Sequence, residues 1–136
     1  MTLDSFRQFP PAFQRDILAS LVQDRKFLRE SLGLMKPEYF EKDLDMRAAK
    51  HVFKIFLETK HPPSRPVLMH ALALDLEKAA RVKDLRQRKI LILRPINKLL
   101  KRIYRPLTES SAYIQKQSLD FCRVQFGCKS SGWRYF

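Results

Sequence analysis

The sequence predicts an all-α protein: a compact four-helix globule over residues 1–80, a helical hairpin over 81–128 and a frayed tail at 129–136. Two observations predict this fold class. Apolar residues recur at helical spacing in every apolar segment, without the strict alternation of a strand. The composition is rich in Leu, Lys, Arg, Ala and Gln but holds only three glycines, which favours helices over sheets. A length of 136 residues is enough for one hydrophobic core.

The first helix is predicted over residues 11–23, and a second helix follows it directly. Pro10 and Pro11 precede the first apolar rhythm, and proline is tolerated in a first helical turn. Asp24 can cap the second helix, which ends before Pro37 because the residue before a proline avoids the helical region. The apolar positions of the two helices are Phe13, Ile17, Leu18 and Leu21, then Phe27, Leu28, Leu32 and Met35.

A short turn, KPEYF at residues 36–40, separates this pair from the third and fourth helices. Its Tyr39 and Phe40 are expected to be core residues that anchor one helix to the next. The third helix covers about 44–59, with an inward stripe of Ala49, Val52, Phe53 and Phe56. After the break HPPSRP, Ser64 can cap the fourth helix, whose apolar face holds Leu68, Leu72, Leu76 and Ala79.

The fifth and sixth helices, about 82–105 and 109–126, form the predicted hairpin. Pro95 should kink the fifth helix, because its ring clashes with the carbonyl of Leu91, and Pro106 ends it. Thr108 or Ser110 can cap the sixth helix. The inward residues are Leu85, Ile92, Ile96, Leu99 and Ile103 on the fifth helix, and Ile114, Phe121 and Val124 on the sixth.

The net charge of +13 is concentrated in the second part of the chain. Residues 81–136 hold 14 Lys and Arg but only 3 Asp and Glu. On the fifth helix one side collects Lys83, Arg94, Lys98, Lys101 and Arg105, and Arg102 flanks them. Such a one-sided charge fits DNA, another polyanion or an acidic protein surface, while a merely solvated face is the alternative. Single-signed stripes are unusual on solvated surfaces, which intersperse both signs.

Catalytic and metal-binding patterns are not found in the sequence. There is no P-loop or dinucleotide fingerprint. The acidic residues near 41–45 fit a helix N-terminus, the three histidines lie on separate elements, and Cys122 fits a small core residue. We therefore expect no catalysis, metal or cofactor. With no apolar run of membrane-spanning length and only two cysteines, a reducing, cytosolic compartment and no membrane partner are expected.

The order of these motifs resembles the N-terminal domain of DnaB-type replicative DNA helicases, closest to the phage branch of that family. The resemblance covers about residues 13–126. Its motifs are DILASLVQDRKFL, then KPEYF, then AAKHVFKIFLE, then a proline-serine break before a leucine-rich helix. The segment ending DFCRVQ is similar to the one that leads into the family's linker helix. The family's ATPase domain is absent, so the chain is expected to be a fragment, a truncated gene product or a stand-alone relative.

The resemblance implies a non-catalytic assembly and docking role in DNA replication. Such domains pair through their helical hairpin to build a ring-shaped collar and offer a surface to primase or a helicase loader. We therefore expect a homo-oligomer in the cytoplasm of a bacterium or a phage-infected host. The self-association candidates on the fifth helix are Leu85, Leu93, Leu100 and Tyr104. The hairpin is unusually basic for such pairing, and a stand-alone basic helical module that binds nucleic acid is the alternative function.

Overall fold

The computed structural model describes residues 9–81, 84–106 and 111–126, and the described part of the chain contains helices and no strand. The all-α prediction is therefore confirmed. The elements in chain order are α1 (Pro11–Gln23), α2 (Arg25–Ser31), a 3-10 turn (Pro37–Tyr39), α3 (Asp43–Thr59), α4 (Arg65–Ala80), α5 (Leu85–Arg88), a π-helix (Lys89–Leu93), α6 (Arg94–Ile103) and α7 (Ser111–Phe126).

Asp24, at the start of α2, makes two hydrogen bonds: one caps α2 and the other joins α2 to α7. One carboxylate oxygen of Asp24 accepts a hydrogen bond from the backbone N–H of Phe27 at 3.1 Å. The other accepts one from the Gln115 side chain at 2.8 Å. Asp24 is thus the predicted N-cap of α2, and it also ties α2 to α7. The α-helix ends at Ser31, earlier than its apolar pattern suggested.

Helix α1 lies at the centre of the fold and packs against α2, α3, α6 and α7. Its buried residues face every side: Gln14, Ile17, Leu18, Ala19, Ser20, Leu21 and Val22. A helix that is buried all round needs neighbours on all sides. Helices α6 and α7 each pack mainly on α1, and their buried side chains join the same apolar cluster as those of α1 and α3.

The 3-10 turn plugs one end of this core. Tyr39 and Phe40 are buried, as the sequence predicted, and the Phe40 ring lies 5.6 Å from that of Phe121 on α7. The buried amide of Gln14 donates to the carbonyl of Phe9 at 2.7 Å and accepts from the backbone N–H of Glu41 at 2.8 Å. Both polar ends of Gln14 are therefore satisfied, as a buried amide requires.

Helices α3 and α4 pack against each other beside α1. The whole predicted stripe of α3, from Ala49 to Phe56, is buried, which confirms its inward orientation. On α4, Leu68 and Leu72 are buried but Ala79 is exposed, so the buried face is shorter than predicted. Ser64 occupies the N-cap position without a side-chain cap hydrogen bond. The alternative caps of the last helix, Thr108 and Ser110, lie outside the described residues.

The irregularity predicted at Pro95 takes the form of a π-helix that ends just before it. The backbone N–H of Arg94 donates to the carbonyl of Lys89, five residues earlier. Pro95 has no N–H to donate, and its ring would collide with the carbonyl of Leu91 in a regular α-helix. The wider π turn accommodates the proline and lets the chain continue into α6.

Candidate functional site

The four basic residues singled out in the sequence lie on one side of α6 and just beyond its end. We call Arg94, Lys98, Lys101 and Arg105 the basic face. At 100° per residue, their directions fall within about 60° of one another. All four side chains are exposed. The structure therefore brings together the predicted set, apart from Lys83, which lies outside the described residues, and Arg102, which pairs with Asp16.

The basic face is held outward by the apolar side of the same helix. The buried residues of α6 are Ile96, Leu99, Leu100 and Ile103. They pack against α1 and α4, so α6 cannot turn without exposing them. Burying four aliphatic side chains of this size stabilises a fold by several kcal/mol (~1.5–3 each). The cations are thus displayed by a fixed helix rather than by a mobile loop.

Two further contacts fasten the C-terminal end of α6. The Gln23 amide nitrogen donates to the carbonyls of Ile103 and Arg105, each at 2.8 Å. These carbonyls lie at and just beyond the last residue of the helix, where no following helical N–H is available. The Tyr104 hydroxyl donates to the carbonyl of Pro63 at 2.7 Å, and burial raises the pKa of Tyr104, so the phenol keeps its proton. No sequence signal pointed to Gln23, because it lies about eighty residues away.

Some cations of this region are neutralised by ion pairs within the chain, and others are not. Arg102 pairs with Asp16 on α1, and Arg88 pairs with Glu77 on α4. The expectation that Arg102 adds to the basic face is therefore not supported by its contacts, because its charge is balanced internally. None of the four residues of the basic face makes an ion pair with an acidic side chain in the described ranges.

The segment before α6 carries a different surface. Arg86 and Lys89 are exposed, and so are three aliphatic residues, Leu85, Ile90 and Leu91. Ile92 alone is buried within the π-helix. This segment extends the positive charge beyond the basic face, but it alternates cations with apolar side chains.

The four self-association candidates do not form one exposed patch. Leu85 is 82% exposed, whereas Leu100 is fully buried in the core of its own chain. Leu93 is half-buried against the core, and Tyr104 is half-buried with its hydroxyl bonded to Pro63. The sequence pattern could not distinguish these positions, because it does not show that α1 and α4 already cover the apolar side of α6. Of the four, only Leu85 is freely available to a second copy.

A second charged cluster joins α3 to α4. The Asp75 carboxylate accepts from the Arg47 guanidinium at 2.8 Å and lies 2.9 Å from the His51 ring nitrogen, and Arg47 also pairs with Asp43. Burial alone would raise the pKa of Asp75. The His51 hydrogen bond and the charges of Arg47 and Lys50 outweigh it and hold that pKa below the usual value. The cluster is internally satisfied and acts as a link between the helices.

The acidic residues near 41–45 do not converge on one site. Glu41 is exposed and Asp43 pairs with Arg47, while Asp45, in the first turn of α3, is buried. One oxygen of Asp45 lies 3.5 Å from the Arg15 guanidinium, and the other has no hydrogen-bond partner among the described residues. Burial raises the pKa of Asp45 more than the Arg15 charge lowers it. Within the described ranges, no group of three His, Cys, Asp or Glu residues could hold a metal ion.

No helix of the described residues has the length and apolar character needed to cross a membrane. Comparisons of this chain with protein-family models, curated proteins and solved structures found no match. The likeness to helicase N-terminal domains therefore rests on the order of short motifs, and it remains a prediction.

Proposed function

We propose that this chain is a non-catalytic module that binds the sugar–phosphate backbone of nucleic acid through its basic face. The main support for the proposal is that the cations of α6 differ in whether they have an acidic partner. Arg102 is neutralised from within by Asp16, but Arg94, Lys98, Lys101 and Arg105 are exposed and have no described acidic partner. Evenly solvated surfaces intersperse both signs, so this stripe fits an external polyanion.

The length of the basic face fits several phosphates. Arg94 and Arg105 are eleven positions apart, which corresponds to about 16 Å at the helical rise. One strand of a duplex presents a phosphate about every 3.4 Å along the axis, so the stripe spans about five phosphates. Arginine can hold a phosphate through two parallel hydrogen bonds, and lysine adds point charge.

The same face offers little for reading bases. Tyr104, the aromatic residue at the end of α6, donates a hydrogen bond from its hydroxyl to the Pro63 carbonyl and is half-buried, so it is a poor platform for base stacking. Contacts to phosphate fix position but carry no sequence information. We therefore expect binding that is independent of sequence and at least as tight for a duplex as for a single strand.

The test is a titration of labelled duplex and single-stranded DNA of about 20 nucleotides at about 50 and 200 mM salt. With all four cations on phosphates, duplex affinity should fall about 100-fold between these concentrations. In the variant Lys98→Glu/Lys101→Glu, binding should be weaker and the salt slope shallower by about two units.

A matched control is Lys50→Glu/Lys54→Glu on α3, which changes the net charge equally at two exposed positions. This variant should lose far less affinity than the variant on α6. Equal losses would show that total charge, and not the basic face, determines binding. No binding by the wild type at low salt would contradict the nucleic-acid proposal and leave an acidic protein as the partner of this face.

The second candidate function is the assembly and docking domain of a DnaB-type replicative helicase. The observation that favours it is the order of elements. The KPEYF segment forms a 3-10 turn between two helix pairs, with Tyr39 and Phe40 in the core. This function requires self-association and a primase or loader surface. The burial of Leu100 leaves less apolar surface for pairing than the sequence suggested.

Sedimentation separates the two candidates. A collar domain should form oligomers at high protein concentration that persist at high salt, where repulsion between basic copies is screened. The exposed Leu85 should then matter, so Leu85→Glu should shift the distribution toward monomer. A monomer under all these conditions would contradict the collar function and would leave the nucleic-acid proposal intact.

A further inference from the structure

A groove lies between elements other than α6 and shares no residue with the basic face. It has a volume of about 350 Å³ and runs between the loop after α2, the 3-10 turn and the last two turns of α7. That volume lies at the lower end of the range for small-molecule sites (~300–1,000 Å³). Its lining residues are Gly33, Leu34, Lys36, Tyr39, Leu119, Cys122, Arg123 and Phe126.

The walls of the groove are apolar and partly open to solvent. Leu34 is 55% exposed, Phe126 is 54% exposed and Leu119 is also exposed. Three large apolar side chains that converge on one concave site resemble the lining of a ligand pocket rather than singly scattered surface residues.

Tyr39 adds a hydrogen-bond donor to the groove. The residue lines the groove, although only 2% of it is exposed. Burial raises the pKa of Tyr39, so its hydroxyl keeps its proton at neutral pH. A phenol hydroxyl can donate a hydrogen bond to an acceptor group of a ligand.

Two cations lie at the groove. Lys36 is exposed and makes no ion pair with a described residue. Arg123 is 3.3 Å from Asp120, but both side chains are at least half exposed, so this pair is weak. An acceptor group with negative charge would be attracted by both side chains.

From these features we propose that the groove binds a small amphipathic organic anion, in which an apolar body lies against Leu34, Leu119 and Phe126 and a carboxylate-type head meets Lys36, Arg123 and the Tyr39 hydroxyl. The size of the groove favours a small molecule, because a stable protein partner needs about 800 Å² of surface on each side. Binding is non-covalent: burial raises the pKa of the Cys122 thiol to about 12, so the reactive thiolate does not form at neutral pH.

Gly33 provides a clean way to block the groove. A Cβ atom added at this residue meets nothing within 4 Å, and its backbone does not require glycine. Gly33→Phe should therefore fill the groove without disturbing the fold, and Gly33→Ala is the matched control. The probe is 8-anilinonaphthalene-1-sulfonate, an apolar anion whose fluorescence rises in apolar sites. Gly33→Phe should weaken its binding about 10-fold or more, and Gly33→Ala by less than about 2-fold.

A second pair of variants tests the charge of the ligand. Leu34 is exposed, so Leu34→Glu and Leu34→Lys should both fold, as their helical circular dichroism will show. The glutamate should repel the probe and the lysine should retain it. Tyr39→Phe should weaken binding about 2- to 10-fold, the effect of one hydrogen bond. Octanoate should displace the probe at lower concentration than octanol.

The proposal has three ways to fail. Unchanged probe binding in Gly33→Phe would place the probe elsewhere. Equal affinity of Leu34→Glu and Leu34→Lys, or equal displacement by octanol and octanoate, would show an apolar patch without anion recognition. Lys98→Glu/Lys101→Glu should bind the probe as the wild type does. Loss of probe binding in that variant would assign the signal to the basic face and overturn the groove as its site.

Discussion

The first half of the segment 84–106 (residues 84–93) and its second half (residues 94–106) have the same kind of composition, but their apolar residues differ in burial. Both alternate Lys and Arg with Leu and Ile. In the first half, Leu85, Ile90 and Leu91 are exposed, and a π-helix replaces the regular helix. In the second half, every buried position of α6 is aliphatic, and Gln23 fastens the helix end. The neighbours of a segment, rather than its composition, decide which of its apolar residues are buried.

The difference arises from α1. Helix α6 lies along α1 and α4, whereas the π-helix contacts α4 but has no major contact with α1. The second half therefore gains a rigid scaffold that displays cations in a fixed arrangement. The first half keeps exposed aliphatic residues beside its cations. A binding function that needs a fixed geometry is thus expected to reside in the second half.

The largest expected effect is on the core beneath the basic face. Leu100→Ala should lower the free energy of unfolding by about 2–5 kcal/mol, because it opens a cavity in a fully buried site. The same change in the first half, Leu85→Ala, should alter it by less than about 0.5 kcal/mol. Denaturant unfolding of both variants measures the comparison. Similar losses would mean that Leu85 is covered in solution, for instance by a second copy.

The next effect concerns the fastening of α6. Gln23→Ala removes two hydrogen bonds to the carbonyls of Ile103 and Arg105, and should lower the free energy of unfolding by about 1–2 kcal/mol. Gln23→Glu keeps the size but cannot donate, so it should be at least as destabilising. Amide exchange should speed up in the last turn of α6 but not in α5. Uniform acceleration over both halves would show that Gln23 stabilises the fold as a whole.

A smaller effect is expected at Asp16, where one substitution should lower the stability of the fold but strengthen DNA binding. Asp16→Asn releases Arg102 from its ion pair and should lower the free energy of unfolding by about 1 kcal/mol. The freed guanidinium should strengthen duplex binding at low salt and steepen the salt slope by up to about one unit. Asp43→Asn, on the remote cluster of α3, makes the same charge change as a control. Identical slopes in the two variants would contradict a role for Arg102.

Sequence reasoning succeeded where the information is local. The bounds of α1, the Asp24 cap and the buried stripe of α3 follow from the spacing of neighbouring residues, and all are found in the structure. The candidate cations of the basic face were also visible, because they recur at helical spacing on α6.

The contacts between distant segments could not be predicted. Asp16 and Arg102 are 86 residues apart, and Gln23 and Arg105 are 82 apart, so no periodicity links them. The groove is hidden for the same reason, since its walls come from residues 33–39 and 119–126. The all-round burial of α1 was the missing information, because it determines how α6 and α7 pack on α1 and complete the core.

The buried carboxyl of Asp45 makes folding a proton-uptake reaction at acidic pH. Its pKa in the folded state lies above the ordinary value of 3.8. Burial raises this pKa more than the nearby charges of Arg15 and Lys42 lower it, and the charge of Glu41 raises it further. Between the two values the folded state holds more of this proton than the unfolded state, so this group's contribution to stability falls as the pH rises through that window. Asp45→Asn removes the linkage. Its stability relative to the wild type should therefore improve as the pH rises from about 4 through the folded-state pKa of Asp45 and then level off, and a constant difference across this range would show that Asp45 titrates normally.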